Sequence, residues 1–283
     1  MVGATFAGMP ELPETETIAR DLDREIRGCR ITHVDVTRPD VLREVAASEL
    51  ARRTCGATVL RCWRRAKLVV IDLDTKDRIV VQPRFTGALL LDDGRLPDAE
   101  RRFSTMAFTL SDDRSLHYRD VRRLGTVTLM QPQRFESYSR LLGVEPLDPT
   151  VTAKQLSGLL RGSRQAVKKV LMDQRHIAGI GNIYANEALW RAGIDPSRAA
   201  ASIDWEESVR LYDGIVSVLR ESIAARGTSF RDYRDATGQR GAFAEQLAVY
   251  GRAGQPCPRC KARLIGTHAV DGRLTVFCAR CQA

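Results

Sequence analysis

The sequence predicts an α+β protein made of a helix-led, β-rich first half, a helical stretch, and a small four-cysteine segment near the C-terminal end. Three observations carry this expectation. Apolar residues recur with a helical period before Gly28, in short β-branched runs from Arg30 to about Met130, and with a helical period again after Pro149. Turn residues such as Asp92-Asp93-Gly94 and Asp112-Asp113 separate the β-branched runs at intervals typical of an antiparallel sandwich or barrel. The last four cysteines fall as C-x2-C, seventeen residues, C-x2-C. A chain of 283 residues at roughly 150 per domain suggests about two domains. With 43% hydrophobic residues it can bury an ordinary core, which excludes a disordered or fibrous chain.

Taken in order, Glu11 to Gly28 places Ile18, Leu22 and Ile26 on one helical face, tolerates Pro13 in the first turn and ends at a glycine. The strand-like runs are Thr58 to Leu60, Leu68 to Leu73, Ile79 to Val81, Met106 to Leu110 and Thr126 to Met130. After Pro132 and the Pro146-Leu147-Asp148-Pro149 turn, short helices are expected over Val151 to Leu160, Gln165 to Asp173 and Ile183 to Ala192. The longest helix opens with the capping box Asp204-x-x-Glu207, puts Val209, Tyr212, Val216, Leu219 and Ile223 on one face, and stops at Gly227. Between two of these helices, Ile177 to Asn182 carries Gly179 and Gly181, which permit either an ordinary bend or close backbone approach to an anion at a helix start. No internal repeat or low-complexity stretch is present.

The longest apolar runs, such as Leu68-Val69-Val70-Ile71, are far short of the roughly 18 to 20 residues of a membrane span. Met1 to Gly8 contain no Lys or Arg, so a charged signal-peptide start is missing and a soluble cytoplasmic protein is expected. The formal charge is +9, and it is uneven: from Gly251 onward six basic residues face only Asp271. Such a segment suits a polyanion partner, although basic tails are commonly just solvated. Cys257, Cys260, Cys278 and Cys281 have the spacing of a tetrahedral zinc site, which would also staple a segment poor in large apolar residues. Two disulfides are the competing use of four cysteines, and they belong to secreted chains.

Several motifs then fall into one pattern: Met9-Pro10-Glu11-Leu12-Pro13-Glu14, Arg64-Arg65-Ala66-Lys67, Asp120-Val121-Arg122-Arg123-Leu124-Gly125, Gly179-Ile180-Gly181-Asn182-Ile183-Tyr184-Ala185, and Gly272-Arg273-Leu274-Thr275 before Cys278. In this order, from Met9 to Ala283, they resemble the formamidopyrimidine-DNA glycosylase/endonuclease VIII family. The resemblance implies a catalytic β-sandwich domain over 9–133, a linker over 134–150, a helix-two-turn-helix domain with a lesion-capping loop over 151–244, and a zinc finger over 245–283. It implies a base-excision-repair DNA glycosylase with abasic-site lyase activity, one structural zinc ion, damaged double-stranded DNA as partner, no nucleotide cofactor, a monomer, and the bacterial cytosol or nucleoid as its place.

Residue by residue, the resemblance makes Pro10 the nucleophile, Glu11 the general acid/base, Lys67 and Arg273 proton donors for the two eliminations, and Glu14 a support of the site. Phe85, Arg122 and Leu124 take the positions that fill the gap left by an extruded nucleotide, and Arg123, Arg164, Lys168 and Asn182 are expected on phosphates. Outside this joint pattern the same residues read plainly: a proline-led helix start, a hairpin lysine, a surface ion pair with Asp120.

The chain departs from the family at several places. Gln82-Pro83-Arg84-Phe85-Thr86-Gly87 stands where His-Leu-Gly-Met-Thr-Gly is usual, a histidine expected near Phe103 to Thr105 is absent, Val121 replaces proline, and the two apolar wedges are exchanged in type. These changes bear on lesion and opposite-base preference. Arg231-Asp232-Tyr233 and Gly238 to Phe243 resemble the capping loop of the formamidopyrimidine branch, reduced or missing in the endonuclease VIII branch. The expected substrates are therefore 8-oxoguanine and formamidopyrimidines, with oxidised pyrimidines as the alternative. An internal proline has no free amine, so Met1 to Gly8 are expected not to be translated; were they retained, the chain would bind lesions without cleaving them.

Overall fold

The computed structural model describes residues 9–230 and 232–283; the calls on Met1 to Gly8 and on Arg231 lie outside these residues. Two compact units result, one of residues up to Arg140 together with Ala225–Ala242, the other of Leu141–Ala224 with Phe243–Ala283.

The first unit opens with α1 (Leu12–Ile26), in which Ile18, Leu22 and Ile26 are buried as their spacing predicts. Nine strands and three further helices follow: β1 (Ile31–Val36), β2 (Leu42–Arg43), α2 (Ala47–Thr54), β3 (Val59–Arg65), β4 (Leu68–Leu73), β5 (Arg78–Gln82), β6 (Gly87–Asp92), α3 (Asp98–Arg101), β7 (Ser104–Leu110), β8 (Ser115–Asp120), β9 (Thr126–Met130) and α4 (Pro132–Ser139). Two sheets form, ordered β1-β7-β8-β6 and β2-β9-β5-β4-β3. All neighbours are antiparallel except β2 with β9. Ile71 and Val81 of one sheet share a buried cluster with Met106, Phe108 and Tyr118 of the other and with Ile18 and Leu22 of α1. The five expected runs all become strands. β1, β2, β6 and β8 go beyond the expected runs; β8 carries Arg119 and Asp120 into the interior, where Arg119 meets Glu100 at 2.8 Å, and this polar pair hides the strand's alternation. α4 occupies the start of the stretch read as linker, and its Phe135 is buried edge-on against Trp63 with ring centroids 5.4 Å apart.

Residues 225–242, which the resemblance joins to the helical domain, pack in this first unit. Tyr233 and Ala236 enter its core, and Leu91 N–H donates to Ala236 O at 2.9 Å. The stretch expected to be a lid is therefore tied down at its middle as well as its base.

The second unit contains α5 (Ala153–Arg161), α6 (Val167–Met172), α7 (Asn182–Ala192) and α8 (Trp205–Ala224), followed by the hairpin β10 (Ile265–Thr267) and β11 (Thr275–Phe277). The expected capping box holds: Glu207 N–H donates to Asp204 Oδ1 at 2.7 Å and Asp204 N–H to Glu207 Oε2 at 3.0 Å. The buried face of α8 is rotated from the expected one. Leu219 lies on both, but Ser208, Leu211, Gly214, Ile215, Val218 and Ser222 are buried, while Val209, Tyr212, Val216 and Ile223 are only half-covered. Small residues let a neighbouring helix come close: a Cβ on Gly214 would lie 3.0 Å from the Ala188 carbonyl of α7. No described helix is long and apolar enough to cross a membrane.

Candidate active site and metal centre

Within the first unit, the start of α1 carries three of the expected residues. Pro10, Glu11 and Glu14 are buried, the two glutamates at 2% and 1% exposure. Glu14 organises this end: Oε2 accepts from Glu11 N–H at 2.9 Å and Oε1 from Thr228 N–H at 2.7 Å. Gly227 is required beside it, since its φ is +85° and a Cβ there would lie 3.1 Å from Glu14 Oε1. Lys67, half-buried, sits in the β3–β4 hairpin turn, whose Ala66 carbonyl accepts from Arg64 Nη1 at 3.0 Å and from Thr15 Oγ1 of α1 at 3.5 Å. Arg64 in turn donates to Glu16 Oε2 at 2.8 Å; burial works against ionisation of Glu16, but the Arg64 guanidinium wins and holds its carboxyl below the usual range. The hairpin carrying Lys67 is thus fixed to the helix carrying the two acids.

Asp21, Arg226 and Asp235 form a further lock that sequence reasoning missed. Arg226 donates to Asp235 Oδ2 at 2.6 Å and pairs with Asp21 of α1, both acids being buried. These residues are more than two hundred positions apart at the extreme, so no local pattern could join them.

The expected wedge residues lie on two turns of the same unit. The Arg122 guanidinium stands 5.4 Å over the Phe85 ring, and Leu124 is 38% exposed. Arg123, with φ +51°, reaches Asp40 at 3.0 Å on the surface. Both turns hang on Asp120, another residue given no role by its motif position. Its buried carboxylate accepts from Gly125 N–H at 2.8 Å, Arg122 N–H at 3.3 Å, Tyr118 OH at 3.3 Å and Thr86 Oγ1. Gly87 and Gly125 make room for this arrangement, because a Cβ would lie 2.7 Å and 1.9 Å from the Tyr118 hydroxyl.

In the second unit, Gly179 adopts φ +90° and its N–H donates to Gln174 Oε1 at 2.8 Å, so the glycine turn before α7 is a braced bend. Asn182 Nδ2 donates to Leu274 O of the hairpin at 3.0 Å. Arg164 is exposed ahead of α6, and Arg273 is exposed at the hairpin turn, with its N–H donated to Asp271 Oδ1 at 3.0 Å. Lys168 corrects the sequence reading. It is wholly buried, donating to Thr275 Oγ1 at 2.8 Å and Asp271 Oδ1 at 3.3 Å. An ammonium without solvent access cannot grip a phosphate, so Lys168 braces the Arg273 turn instead.

The Sγ atoms of Cys257, Cys260, Cys278 and Cys281 all lie within 4.8 Å of one another. The Cys260–Cys278 and Cys257–Cys281 separations are 3.4 Å and 4.0 Å. A tetrahedral ion with thiolate bonds of about 2.3 Å needs sulfurs about 3.8 Å apart, so the set fits a metal. Burial opposes ionisation of Cys257, but N–H groups of Cys260, Trp190 and Arg259 bring its thiol down to about 6; burial and the neighbouring thiols push Cys281 up to about 12. A cation is what would let all four ionise together.

A sandwich led by an acid-rich helix start, with basic and apolar turns at its surface, and a helical unit ending in a four-thiolate finger define a multi-part α+β protein suited to a polyanion. Its residues 9–127 match the family model of the formamidopyrimidine-DNA glycosylase N-terminal domain and residues 142–234 that of the corresponding H2TH domain, and the chain belongs to the formamidopyrimidine-DNA glycosylase family. A relative from Moorella thermoacetica is 43% identical over 89% of this chain and 92% of its own length. One from Pelotomaculum thermopropionicum is 40% identical over 97% of this chain and 99% of its own. The solved Lactococcus lactis Fpg, in complex with DNA containing an abasic site, aligns with a TM-score of 0.89 at 31% identity, covering 96% of this chain and 99% of that one.

Proposed function

We propose that this chain excises oxidised purines, 8-oxoguanine and formamidopyrimidines, from damaged double-stranded DNA and then cleaves the resulting abasic site. The family is one of bifunctional glycosylase/lyases. The observation that carries the assignment of chemistry to residues is the buried start of α1, where Pro10 and Glu11 adjoin a helix fixed to the Lys67 hairpin. An α-amine has a pKa of about 8, so at neutral pH a usable fraction is uncharged. The Pro10 nitrogen attacks C1′ and the base leaves; opening of the sugar, with Glu11 handling the proton at the ring oxygen, gives an iminium. A secondary amine cannot lose its charge from that iminium, which therefore draws electrons as the C2′ proton departs and the 3′ phosphate is expelled. Lys67 donates the proton for this first elimination and Arg273 for the second, which expels the 5′ phosphate. Phe85, Arg122 and Leu124 fill the vacated stack; Arg123, Arg164 and Asn182 hold phosphates.

This chemistry requires a free amine on Pro10, hence a mature chain that begins there. The family match starting at residue 9 favours that reading. The four thiolates hold zinc, whose part is to fold the finger and present Arg273. The protein acts as a monomer in the bacterial cytosol or nucleoid. Borohydride trapping on duplex containing 8-oxoguanine, together with the intact mass from the native host, tests the proposal: a covalent adduct and a mass beginning at Pro10 are expected, and Pro10→Gly abolishes the adduct. A native mass retaining Met1 to Gly8 with no adduct would leave a DNA binder without catalysis.

A further inference from the structure

One face of α5, in the second unit, has no part in the chemistry above. Lys154, Ser157, Gly158 and Arg161 follow one another at helical spacing, and with Trp205 at the start of α8 they line a hollow of about 430 Å³. That size falls within the range of small-ligand sites, about 300 to 1,000 Å³. Packing does not explain its lining. The Ser157 side chain is buried, yet its hydroxyl finds no hydrogen-bond partner among the described residues, not even the carbonyl of the preceding turn to which a helical serine often turns. Gly158 stands inside α5, where glycine weakens a helix, although a Cβ there would meet nothing within 4 Å. Trp205 is 45% exposed. Lys154 and Arg161 are also exposed, and neither is paired with an acid among the described residues. The Asp204 carboxylate beside the tryptophan is engaged by Glu207 N–H at the cap of α8.

We propose that this hollow is a nucleotide-binding site: a base stacks on the Trp205 ring, Lys154 and Arg161 hold the phosphate, and the Ser157 hydroxyl donates to a polar atom of the ligand. Cations without a ring would draw any anion, and a ring without cations would suit any apolar surface. An aromatic platform flanked by lysine and arginine is the combination by which proteins take nucleotides of unpaired strands, since every base offers a π-face and every phosphate a charge. Two turns, about 10 Å of helix axis, separate Lys154 from Arg161, and both side chains are long enough to converge over the serine between them. Gly158 keeps the hollow open, because any side chain there would project into the space the ligand takes. The same chemistry comes from two sources, a free mononucleotide or one unpaired nucleotide of a DNA strand. The site shares no residue with the Pro10, Lys67 and Arg273 chemistry, so neither reading depends on the other.

Equilibrium dialysis of the full chain against labelled 2′-deoxyadenosine 5′-monophosphate, and separately against a labelled single-stranded deoxyadenosine tetranucleotide, tests this. Saturable binding is expected. Gly158→Met replaces a helix-weakening residue with a good helix former while filling the hollow, and Trp205→Leu removes an exposed ring; each should weaken binding about tenfold or more, the loss expected for a stacked base. Ser157→Ala should weaken it about threefold. A tetranucleotide bound about tenfold more tightly than the mononucleotide identifies a DNA strand as the source, and similar affinities identify the free nucleotide. No binding of either ligand up to about 1 mM, or binding that survives both Gly158→Met and Trp205→Leu, would overturn the proposal. Borohydride trapping on the 8-oxoguanine duplex should be unchanged in these two variants, and its failure in the unaltered chain would count against the catalytic reading alone.

Discussion

The acidic start of α1 and the Arg273 turn are held in place by opposite means. Glu11 and Glu14 are themselves almost dry, and Glu14 is fixed by backbone N–H groups from its own helix and from Thr228, far along the chain. Arg273 is exposed, and what is dry is its foundation: Lys168 and Asp271, with side chains 0% and 4% exposed, pair beneath the turn. The carboxylate is fixed directly, whereas Arg273, proposed above to meet a phosphate, has its backbone fixed and its side chain left exposed. The buried pair is costly to break on one side, because the partner is left charged and unsolvated.

This contrast can be broken from either end. The largest effect on DNA binding is expected at the finger: chelation, or Cys260→Ser, should unfold the hairpin and lower affinity by about tenfold or more in a fluorescence-anisotropy titration. Lys168→Met should destabilise the second unit by about 3 to 5 kcal/mol in urea unfolding, and adding Asp271→Asn should recover part of it. Glu14→Gln sets an amide donor against one of two N–H groups and should cost about 1.5 to 3 kcal/mol, with slower adduct formation in borohydride trapping. The smallest effect belongs to the Lys67 hairpin. Arg64 depresses the folded-state pKa of Glu16 below 4.5, so this contribution is complete above that pH and fades as pH falls through the folded value. Glu16→Gln should therefore lower stability modestly at neutral pH, change little at a pH below the folded value, and so flatten the acid limb of the stability profile.

The two regions were also unequally legible. The finger could be read because its ligands come in two local pairs, and the start of α1 because proline and a glutamate pair announce a helix. The face of α8 was misread because the buried stripe uses Ser208, Gly214 and Ser222, which a count of bulky apolar residues passes over. Lys168 looked like a surface cation because nothing local reveals Asp271 and Thr275 beneath it. Asp120 stood in a recognised motif, but its bond to Thr86 is a tertiary fact. Residues whose partner is nearby in sequence were found; those whose partner is remote were assigned by type alone.

The excursion over 225–242 leaves after α8 and closes on itself, Ala242 N–H donating to Ala225 O at 2.8 Å and Gly241 N–H to Ser229 Oγ at 2.9 Å. Its entrance and exit are therefore neighbours. A short splice between them would leave every helix and strand continuous but would remove Thr228, Tyr233 and Asp235, which brace Glu14, the core and the Asp21–Arg226 pair, so the excursion is an inserted part of the first unit's interior and not an ornament on it.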